Sequence, residues 1–318
     1  MGSVSEPLLF QEPTIVKISE DERISGNMAI EHIAEAVVAL HRDGFVVLEN
    51  VVDQEHCDVL DKLMCEEAGH MAKDPKTIRT IAILGPNPRC NFADGNTALG
   101  AGYGGRQGVH ADMAYNFPQM PCTITANYYL KDASLANGST ELWLGSSRDT
   151  NFRDHKACRE LGPGDDPYMP KKISLHTEDD NYAMEANFGV REECLQARRR
   201  FAPPVQPSVK GGSVMLRDLR LWHAGIANFS DKTRIMLNVI HTPGWYECPT
   251  SVNLPGNARP LVNAWAKREN PMVFAARYLA DEAECRAQQF RVDFSSRNKG
   301  YWGSLDNTLA AGFAFIDA

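Results

Sequence analysis

Two short stretches of the sequence contain residue types that bind metal ions. Residues 107–112 hold His110 and Asp112 two positions apart, and His223 lies far downstream. If residues 107–112 form an extended strand, side chains two apart point to the same face, so the imidazole and the carboxylate lie side by side. Two histidines and one carboxylate on one face of an iron leave the opposite positions open, which is the ligand set of non-heme Fe(II) oxygenases. The sequence therefore predicts a metal site made of His110, Asp112 and His223.

The spacing of His110 and Asp112 is weak evidence alone, because the chain contains three further pairs of this kind. They are His41/Asp43, His56/Asp58 and His176/Glu178. The first two pairs fall in helical patterns, where residues two apart point about 200° apart around the axis and do not bind one ion. The third falls in a stretch without strand-like alternation and is predicted to be an acidic loop. The pair at 110 and 112 is closely followed by a strand-like run at residues 123–130.

A longer set of motifs carries a family resemblance. Besides the two metal stretches, the motifs are a helix followed by residues 43–50, then residues 137–147, residues 211–228 and Arg234. This pattern resembles the phytanoyl-CoA dioxygenase family, and it is most similar to the fungal branch that tailors natural products. The resemblance covers about residues 26–245 and implies an Fe(II)- and 2-oxoglutarate-dependent oxygenase on a double-stranded β-helix. One departure is Leu-Gly-Ser-Ser at residues 144–147, where the family has Pro-Gly-Ser-His.

The resemblance also implies a cosubstrate site. Arg234 would pair with the distal carboxylate of 2-oxoglutarate, because a guanidinium group makes two parallel charge-assisted bonds to one carboxylate. Thr140 and Gln107 would donate hydrogen bonds to the same cosubstrate. With O2 as the other cosubstrate, the implied chemistry is oxidative decarboxylation of 2-oxoglutarate to succinate and CO2, coupled to removal of a substrate hydrogen.

Several functions remain open at this point. The first is oxidation of a small organic molecule, whose outcome could be hydroxylation, desaturation, epoxidation, endoperoxidation or rearrangement. The second is halogenation on the same scaffold, which the resemblance disfavours because halogenases replace the carboxylate ligand with Ala or Gly, whereas Asp112 is present. A family member that hydroxylates an acyl-CoA is a further alternative. A non-catalytic barrel that binds a small molecule is the alternative from a different class.

Side chains near the metal stretch indicate the substrate class. Pockets for organic ligands are mostly apolar with a few polar groups, and the residues predicted to line the open side of the iron are Tyr103, Met113, Tyr115 and Phe117. A CoA thioester carries several phosphate charges, but the basic residues near the metal motifs are Arg106 and Lys131. The sequence therefore favours a compact, largely apolar secondary metabolite or modified amino-acid product, covered by a lid from residues 151–210 or 100–105.

Composition excludes several partner classes. The chain has 318 residues, 43% hydrophobic residues and a net charge of −8, without the basic stripe that nucleic-acid binding requires. Eight scattered cysteines form no Cys-x-x-Cys pair, which indicates a reducing compartment. The first residues lack the apolar core of a signal peptide, so we expect a cytoplasmic protein that acts without membrane partners. A homodimer is the assembly considered.

The elements that position these residues are predicted to form one domain with a mainly β, jelly-roll-like core. We expect an amino-terminal helical layer at about 26–70, a barrel core at about 77–245 and a helical extension at 246–318. The predicted barrel strands lie at residues 45–48, 77–84, 123–130, 214–219 and 234–242.

The helices are predicted from apolar periodicity and capping signals. A helix at residues 29–43 ends at Gly44 and packs on the core through a stripe of apolar side chains, namely Ile30, Ile33, Val37, Val38 and Leu40. A second helix begins at an Asp53 cap, ends at Gly69 and has Leu60, Leu63 and Met64 on its apolar face. A third helix begins at Asn270-Pro271 and runs through Phe274, Tyr278 and Leu279.

Overall fold

The structure is a computed structural model of the whole chain. It describes residues 12–72, 96–98, 106–112, 123–149, 154, 189–241, 252–267, 276–281 and 284. The chain divides into two compact units, Met1–His241 and Thr242–Ala318. The strand predicted at 77–84 lies outside the described residues. Within the described ranges, no helix combines the length and the apolar content that crossing a bilayer requires.

The first unit contains a mixed six-stranded sheet, two further short strands and five helices among its described residues. Its elements are β1 (Ile15–Lys17), α1 (Glu20–Ser25), α2 (Ile30–Asp43), β2 (Phe45–Glu49), α3 (Gln54–Ala72), β3 (Asn96–Ala98), β4 (Ile124–Tyr129), β5 (Glu141–Leu142), α4 (Ser146–Asp149), α5 (Glu192–Arg199), β6 (Val214–Asp218), β7 (His223–Ala224) and β8 (Arg234–His241).

The strand order in the large sheet is β1-β2-β6-β4-β8-β3, and β5 pairs separately with β7. Strand β1 runs parallel to β2, whereas the other neighbours in the sheet are antiparallel. Four predicted strands are therefore confirmed, as β2, β4, β6 and β8, with ends that differ by at most one residue. Their apolar and β-branched side chains supply much of the buried core, including Phe45, Val47, Met215 and Met236.

Helix α2 packs on the sheet through a different face from the one predicted. Ala36 and Ala39 are buried against β1 and β2, whereas Ile30 and Val38 are 70% and 60% exposed. The prediction that the stripe of Ile30, Ile33, Val37 and Val38 packs on the core is wrong. Small side chains let the helix lie close to the strands, so volume outweighed hydrophobicity in choosing the buried face. The predicted stop at Gly44 is confirmed, because Gly44 has φ +85° and its N–H donates to the Leu40 carbonyl.

Helix α3 begins where predicted but continues further. The Asp53 carboxylate accepts a bond of 3.0 Å from the His56 N–H, which is a side-chain cap at the first turn. The predicted end at Gly69 is wrong, since the helix runs to Ala72. Of the predicted apolar face, Met64 packs on a buried cluster, whereas Leu60 and Leu63 are exposed.

The second unit contains β9 (Val252–Pro255), α6 (Arg259–Trp265) and β10 (Ala276–Leu279) among its described residues. The predicted helix through Tyr278 and Leu279 is wrong, because both residues belong to β10, which pairs with β9 in parallel. This pairing satisfies the backbone of both segments, and the Arg259 guanidinium stacks 4.2 Å from the centre of the Tyr278 ring. Helix α6 carries a proline in its first turn, where its missing N–H costs nothing.

Gly44 allows a close contact between α2, α4 and the segment before β7. A Cβ atom on Gly44 would lie 2.6 Å from both Leu221 Cδ1 and Ser147 Oγ, whereas a Cβ on Gly26 would meet nothing within 4 Å. Both glycines end a helix with positive φ, so alanine strains the backbone similarly at either position.

We expect Gly44→Ala to lower the free energy of unfolding by about 1–3 kcal/mol more than Gly26→Ala does, the usual cost of overpacking a core. Urea denaturation of both variants and the parent measures the difference. Equal losses in the two variants would contradict the close contact at Gly44.

Candidate metal centre

The two segments that carry the predicted ligands are joined by backbone hydrogen bonds. The His110 N–H donates to the His223 carbonyl at 3.0 Å, and the His223 N–H donates to the His110 carbonyl at 2.8 Å. The Gln107 side chain continues this contact, since its Oε1 accepts a bond of 2.9 Å from the Gly225 N–H, 118 positions away. The predicted continuous strand over residues 107–112 is wrong, because this stretch forms one isolated bridge. That bridge is sufficient to hold the two histidines as direct neighbours.

Successive side chains in the segments around His110 and His223 point to opposite faces, one apolar and one polar. Val109 and Ala111, which flank His110, pack with Trp222 and Ala224, which flank His223, in one buried cluster. Side chains on either side of a residue in extended backbone point to the opposite face. The apolar neighbours therefore pack behind the bridge and leave the histidines on the other face.

His110, Asp112 and His223 converge on that polar face. Asp112 Oδ1 lies 3.7 Å from His110 Nε2 and 3.7 Å from His223 Nε2. The three candidate ligand atoms all lie within 4.8 Å of one another. One ion bonded to each ligand at about 2 Å can span such separations with small side-chain adjustments.

Backbone carbonyls orient both imidazoles for metal binding. His110 Nδ1 lies 2.9 Å from the Gly108 carbonyl, and His223 Nδ1 lies 2.9 Å from the Leu221 carbonyl. Carbonyl oxygens only accept hydrogen bonds, so each Nδ1 carries the proton and each Nε2 presents its lone pair. Metal-binding histidines are commonly anchored in this way through the other ring nitrogen. The donor set therefore fits a divalent cation.

Arg217 is a neighbour of the metal site that sequence reasoning missed. Its Nη2 donates to Asp112 Oδ2 at 2.8 Å, and its Nη1 lies 3.2 Å from His223 Nδ1. Because the proton on that Nδ1 points to the Leu221 carbonyl, the second contact is packing and not a hydrogen bond to an acceptor. Arg217 is buried on β6, six positions before His223. A basic residue directly after three apolar residues of a predicted strand was the available signal.

Charge in this pocket favours the protonation states that bind metal. Burial lowers the pKa of His223 to about 3, and the Arg217 charge acts in the same direction. Burial alone would raise the pKa of Asp112, but the positive charges of His223, Arg217 and His110 outweigh it and hold the pKa below its usual range. Since His223 is neutral well above its pKa, Arg217 is the permanent cation beside Asp112 near neutral pH. Both ligands are therefore deprotonated where a divalent cation would bind.

Arg234, predicted to bind the distal carboxylate of 2-oxoglutarate, is buried at the start of β8. Its Nε and Nη2 donate to the carbonyls of Asn137 and Gly138 at 3.0 and 2.9 Å. Its Nη1 is buried without a hydrogen-bond partner, and no carboxylate among the described residues forms an ion pair with it. A buried guanidinium with an unsatisfied nitrogen is costly unless an anion binds there. The residues present therefore fit a carboxylate ligand.

Tyr129 lies near both Arg217 and Arg234, and sequence reasoning missed this residue as well. It is 1% exposed, its hydroxyl donates to Met215 Sδ at 3.9 Å, and the charges of Arg234 and Arg217 act on it. Burial raises the pKa of Tyr129, so the hydroxyl keeps its proton. Alternation along β4 was the signal that could have identified Tyr129.

The remaining site predictions have mixed outcomes. Thr140 is buried beside Tyr129, and Gln107 lies beside the metal segments, but the cosubstrate roles of both residues stay predictions. The predicted substrate residues Tyr103, Met113, Tyr115 and Phe117 lie outside the described residues, as do the loop 100–105 and most of the proposed lid. The pairs His41/Asp43 and His56/Asp58 lie in α2 and α3, which confirms that they are helical.

Comparison with known proteins agrees with this site. Residues 96–236 match the family model described as Phytanoyl-CoA dioxygenase (PhyH). Among solved structures, the chain is similar to the non-heme alpha ketoglutarate dependent carbocyclase SnoK from nogalamycin biosynthesis, with 17% identity, 69% of this chain and 85% of that chain covered, and a TM-score of 0.40. It is also similar to EctD from S. alaskensis, crystallised with 2-oxoglutarate and 5-hydroxyectoine, with 17% identity, coverage of 86% and 93%, and a TM-score of 0.43.

A third similar structure is the epimerase SnoN in complex with Fe3+, alpha ketoglutarate and nogalamycin RO, with 15% identity, coverage of 80% and 98%, and a TM-score of 0.41. The family match does not distinguish a fungal branch, which stays a prediction. Its match to residues 96–236 includes both metal-binding segments and Arg234. Residues 96–236 are therefore similar to the phytanoyl-CoA dioxygenase (PhyH) family, and the matched range contains the three candidate metal ligands.

Proposed function

We propose that this dioxygenase oxidises a compact, largely apolar organic molecule, a fungal secondary-metabolite intermediate. The observation that carries the enzymatic part is the convergence of His110, Asp112 and His223 on one face of a backbone bridge. Fe(II) held by these residues would supply, with 2-oxoglutarate and O2, the oxidising chemistry that removes a substrate hydrogen. Which oxidised product forms depends on the substrate.

The protein's own groups bind and orient the reactants. The carbonyls of Gly108 and Leu221 hold the Nδ1 protons, so both Nε2 atoms face the metal position. Arg234 would direct its unpaired Nη1 at the distal carboxylate of 2-oxoglutarate, with Thr140 and Gln107 as further hydrogen-bond donors. Burial of Arg234 strengthens this attraction, since charges interact more strongly away from water.

We infer that the core is a double-stranded β-helix of the jelly-roll type. The large sheet forms one layer, and the β5–β7 pair continues on both sides through the bridges His110–His223 and Leu142–Val205, which supports a second layer. A shared buried cluster contains Phe45 and Met215 from the large sheet together with Leu142 and Val205. A single-domain organisation of the whole chain is part of this proposal.

Two ion pairs support an uncharged substrate in preference to an acyl-CoA. The Arg106 guanidinium lies 2.6 Å from Glu141, and the Lys131 ammonium lies 2.5 Å from Asp58. The two basic residues near the metal motifs are therefore each paired with a carboxylate. A phosphate-rich ligand would need additional positive charge.

The cysteines bear on the cellular setting of the protein. The described cysteines, Cys57, Cys65 and Cys194, are free thiols, which is consistent with the reducing environment of the cytoplasm. A homodimer stays a prediction, as does the absence of nucleic-acid and membrane partners.

Asp112→Ala is expected to abolish succinate formation and to lower divalent-metal affinity, because it removes the one anionic ligand. Asp58→Ala is the matched control, since Asp58 belongs to the same His-x-Asp pattern but lies on α3 in an exposed ion pair. Calorimetric titration with metal and a succinate assay test both variants. Full activity in Asp112→Ala, or an equal loss in Asp58→Ala, would reject the metal assignment.

Arg234→Lys is expected to weaken 2-oxoglutarate binding about tenfold to a hundredfold while leaving metal affinity nearly unchanged. Lysine keeps the charge but loses one hydrogen bond to a charged group, worth about 1.5–3 kcal/mol. Arg198→Lys is the control, because Arg198 is equally buried but donates to the Leu144 carbonyl. An unchanged affinity for 2-oxoglutarate in Arg234→Lys would disprove the carboxylate role.

Substrate class is tested by succinate formation with two panels, one of acyl-CoA esters and one of uncharged polycyclic or peptide-derived metabolites. We expect stimulation by members of the uncharged panel, because Arg106 and Lys131 are engaged by carboxylates. Stimulation by the CoA esters alone would overturn the substrate class. Absence of any turnover of 2-oxoglutarate, with iron bound, would favour the non-catalytic binding barrel.

A further inference from the structure

We propose that Arg217 is a positioning residue that fixes the Asp112 carboxylate, so that one of its two oxygens faces the metal and the other does not. This inference rests on the proposed metal site. The two carboxylate oxygens have different neighbours. Oδ1 lies 3.7 Å from both histidine Nε2 atoms, whereas Oδ2 accepts the bond of 2.8 Å from Arg217 Nη2.

Arg217 lies inside the large sheet, whereas Asp112 lies outside it. Strand β6 lies between β2 and β4, and Arg217 is paired with Phe45 on one side and Thr125 on the other. The arginine side chain is 5% exposed. Asp112 lies two residues beyond the His110 bridge, in backbone that belongs to no strand. Among the described residues, the Arg217 bond is therefore the contact that ties the Asp112 carboxylate to the sheet.

This arrangement sets how Asp112 can bind a cation. A carboxylate can ligate through one oxygen or through both. With Oδ2 engaged by Arg217, Asp112 offers Oδ1 alone, and the ligand set occupies one face of the ion. The positions that two cosubstrates need then remain open. Residues that orient a metal ligand in this way typically change metal affinity about 10–100-fold when they are replaced.

Arginine is suited to this task by its shape. The guanidinium group extends one nitrogen to Asp112 while a second packs at 3.2 Å from the His223 ring. Lysine carries the same charge on one nitrogen and cannot fill both positions. Arg217→Lys therefore separates charge from orientation, because lysine keeps the positive charge but loses the arrangement of two nitrogens that orients Asp112.

The experiment is calorimetric titration of the metal-free full-length protein with Ni(II), which binds imidazole more tightly than Fe(II) does and is not oxidised by air. Arg217→Lys is expected to weaken Ni(II) binding by about tenfold or more. Arg198→Lys, the same change at another buried arginine, is expected to leave the affinity within about twofold. Arg217→Gln, which keeps a donor but loses charge and reach, is a second variant and is expected to weaken binding at least as much.

A double-mutant cycle separates positioning from a general structural role. In the Asp112→Ala background, Arg217→Lys should change the residual Ni(II) affinity by no more than about twofold, because its effect passes through the missing carboxylate. Equal losses in both backgrounds, or Ni(II) binding as tight as the parent in a folded Arg217 variant, would overturn the proposal. Failure of the parent protein to bind Ni(II) would instead overturn the metal site itself.

Discussion

The pair of backbone hydrogen bonds between His110 and His223 is the constraint on which the site depends. It joins segments from distant parts of the chain. It also aligns the two segments so that their apolar side chains point to the same face, where Val109, Ala111, Trp222 and Ala224 pack together. A shift of one residue in this pairing would turn the ligands toward the apolar cluster. Hydrophobic packing therefore selects the register, and the register creates the metal site as its other face.

Two buried arginines near the site, Arg217 and Arg234, differ in how their positive charge is compensated. Arg217 is compensated by Asp112, and the pair stays charged because burial is outweighed by close opposite charge. Arg234 has no such compensation among the described residues, and carbonyls satisfy only part of its guanidinium group. A protein retains a buried, uncompensated cation when a ligand brings the opposite charge. Arg217 and Arg234 therefore differ in that the first is paired with a candidate metal ligand and the second has a guanidinium nitrogen without a partner.

The sequence allowed the convergence of His110, Asp112 and His223, the central strands and the caps at Gly44 and Asp53 to be predicted, because each depends on local residue type and spacing. Arg217 and Tyr129 were not predicted, because their contacts depend on which distant residues the folded sheet places next to them. Helix α2 was oriented wrongly because periodicity cannot tell whether alanine or isoleucine fits a close helix–strand contact. Residues 276–279 form a strand instead of the predicted helix because their parallel partner, residues 252–255, lies elsewhere in the chain and leaves no local signal.

The distance along the chain between the paired segments has a consequence for stability. Gln107 and Gly225 are 118 positions apart, and Arg217 and Asp112 are 105 apart. A cation bound by both segments would act as a reversible cross-link that closes a long loop, and the unfolded chain cannot form it. Ligands that bind only the native state raise its stability by about 2.7 kcal/mol at a hundred times their dissociation constant. The heat resistance of this protein should therefore track the supply of metal, which links its persistence in the cell to its competence for catalysis.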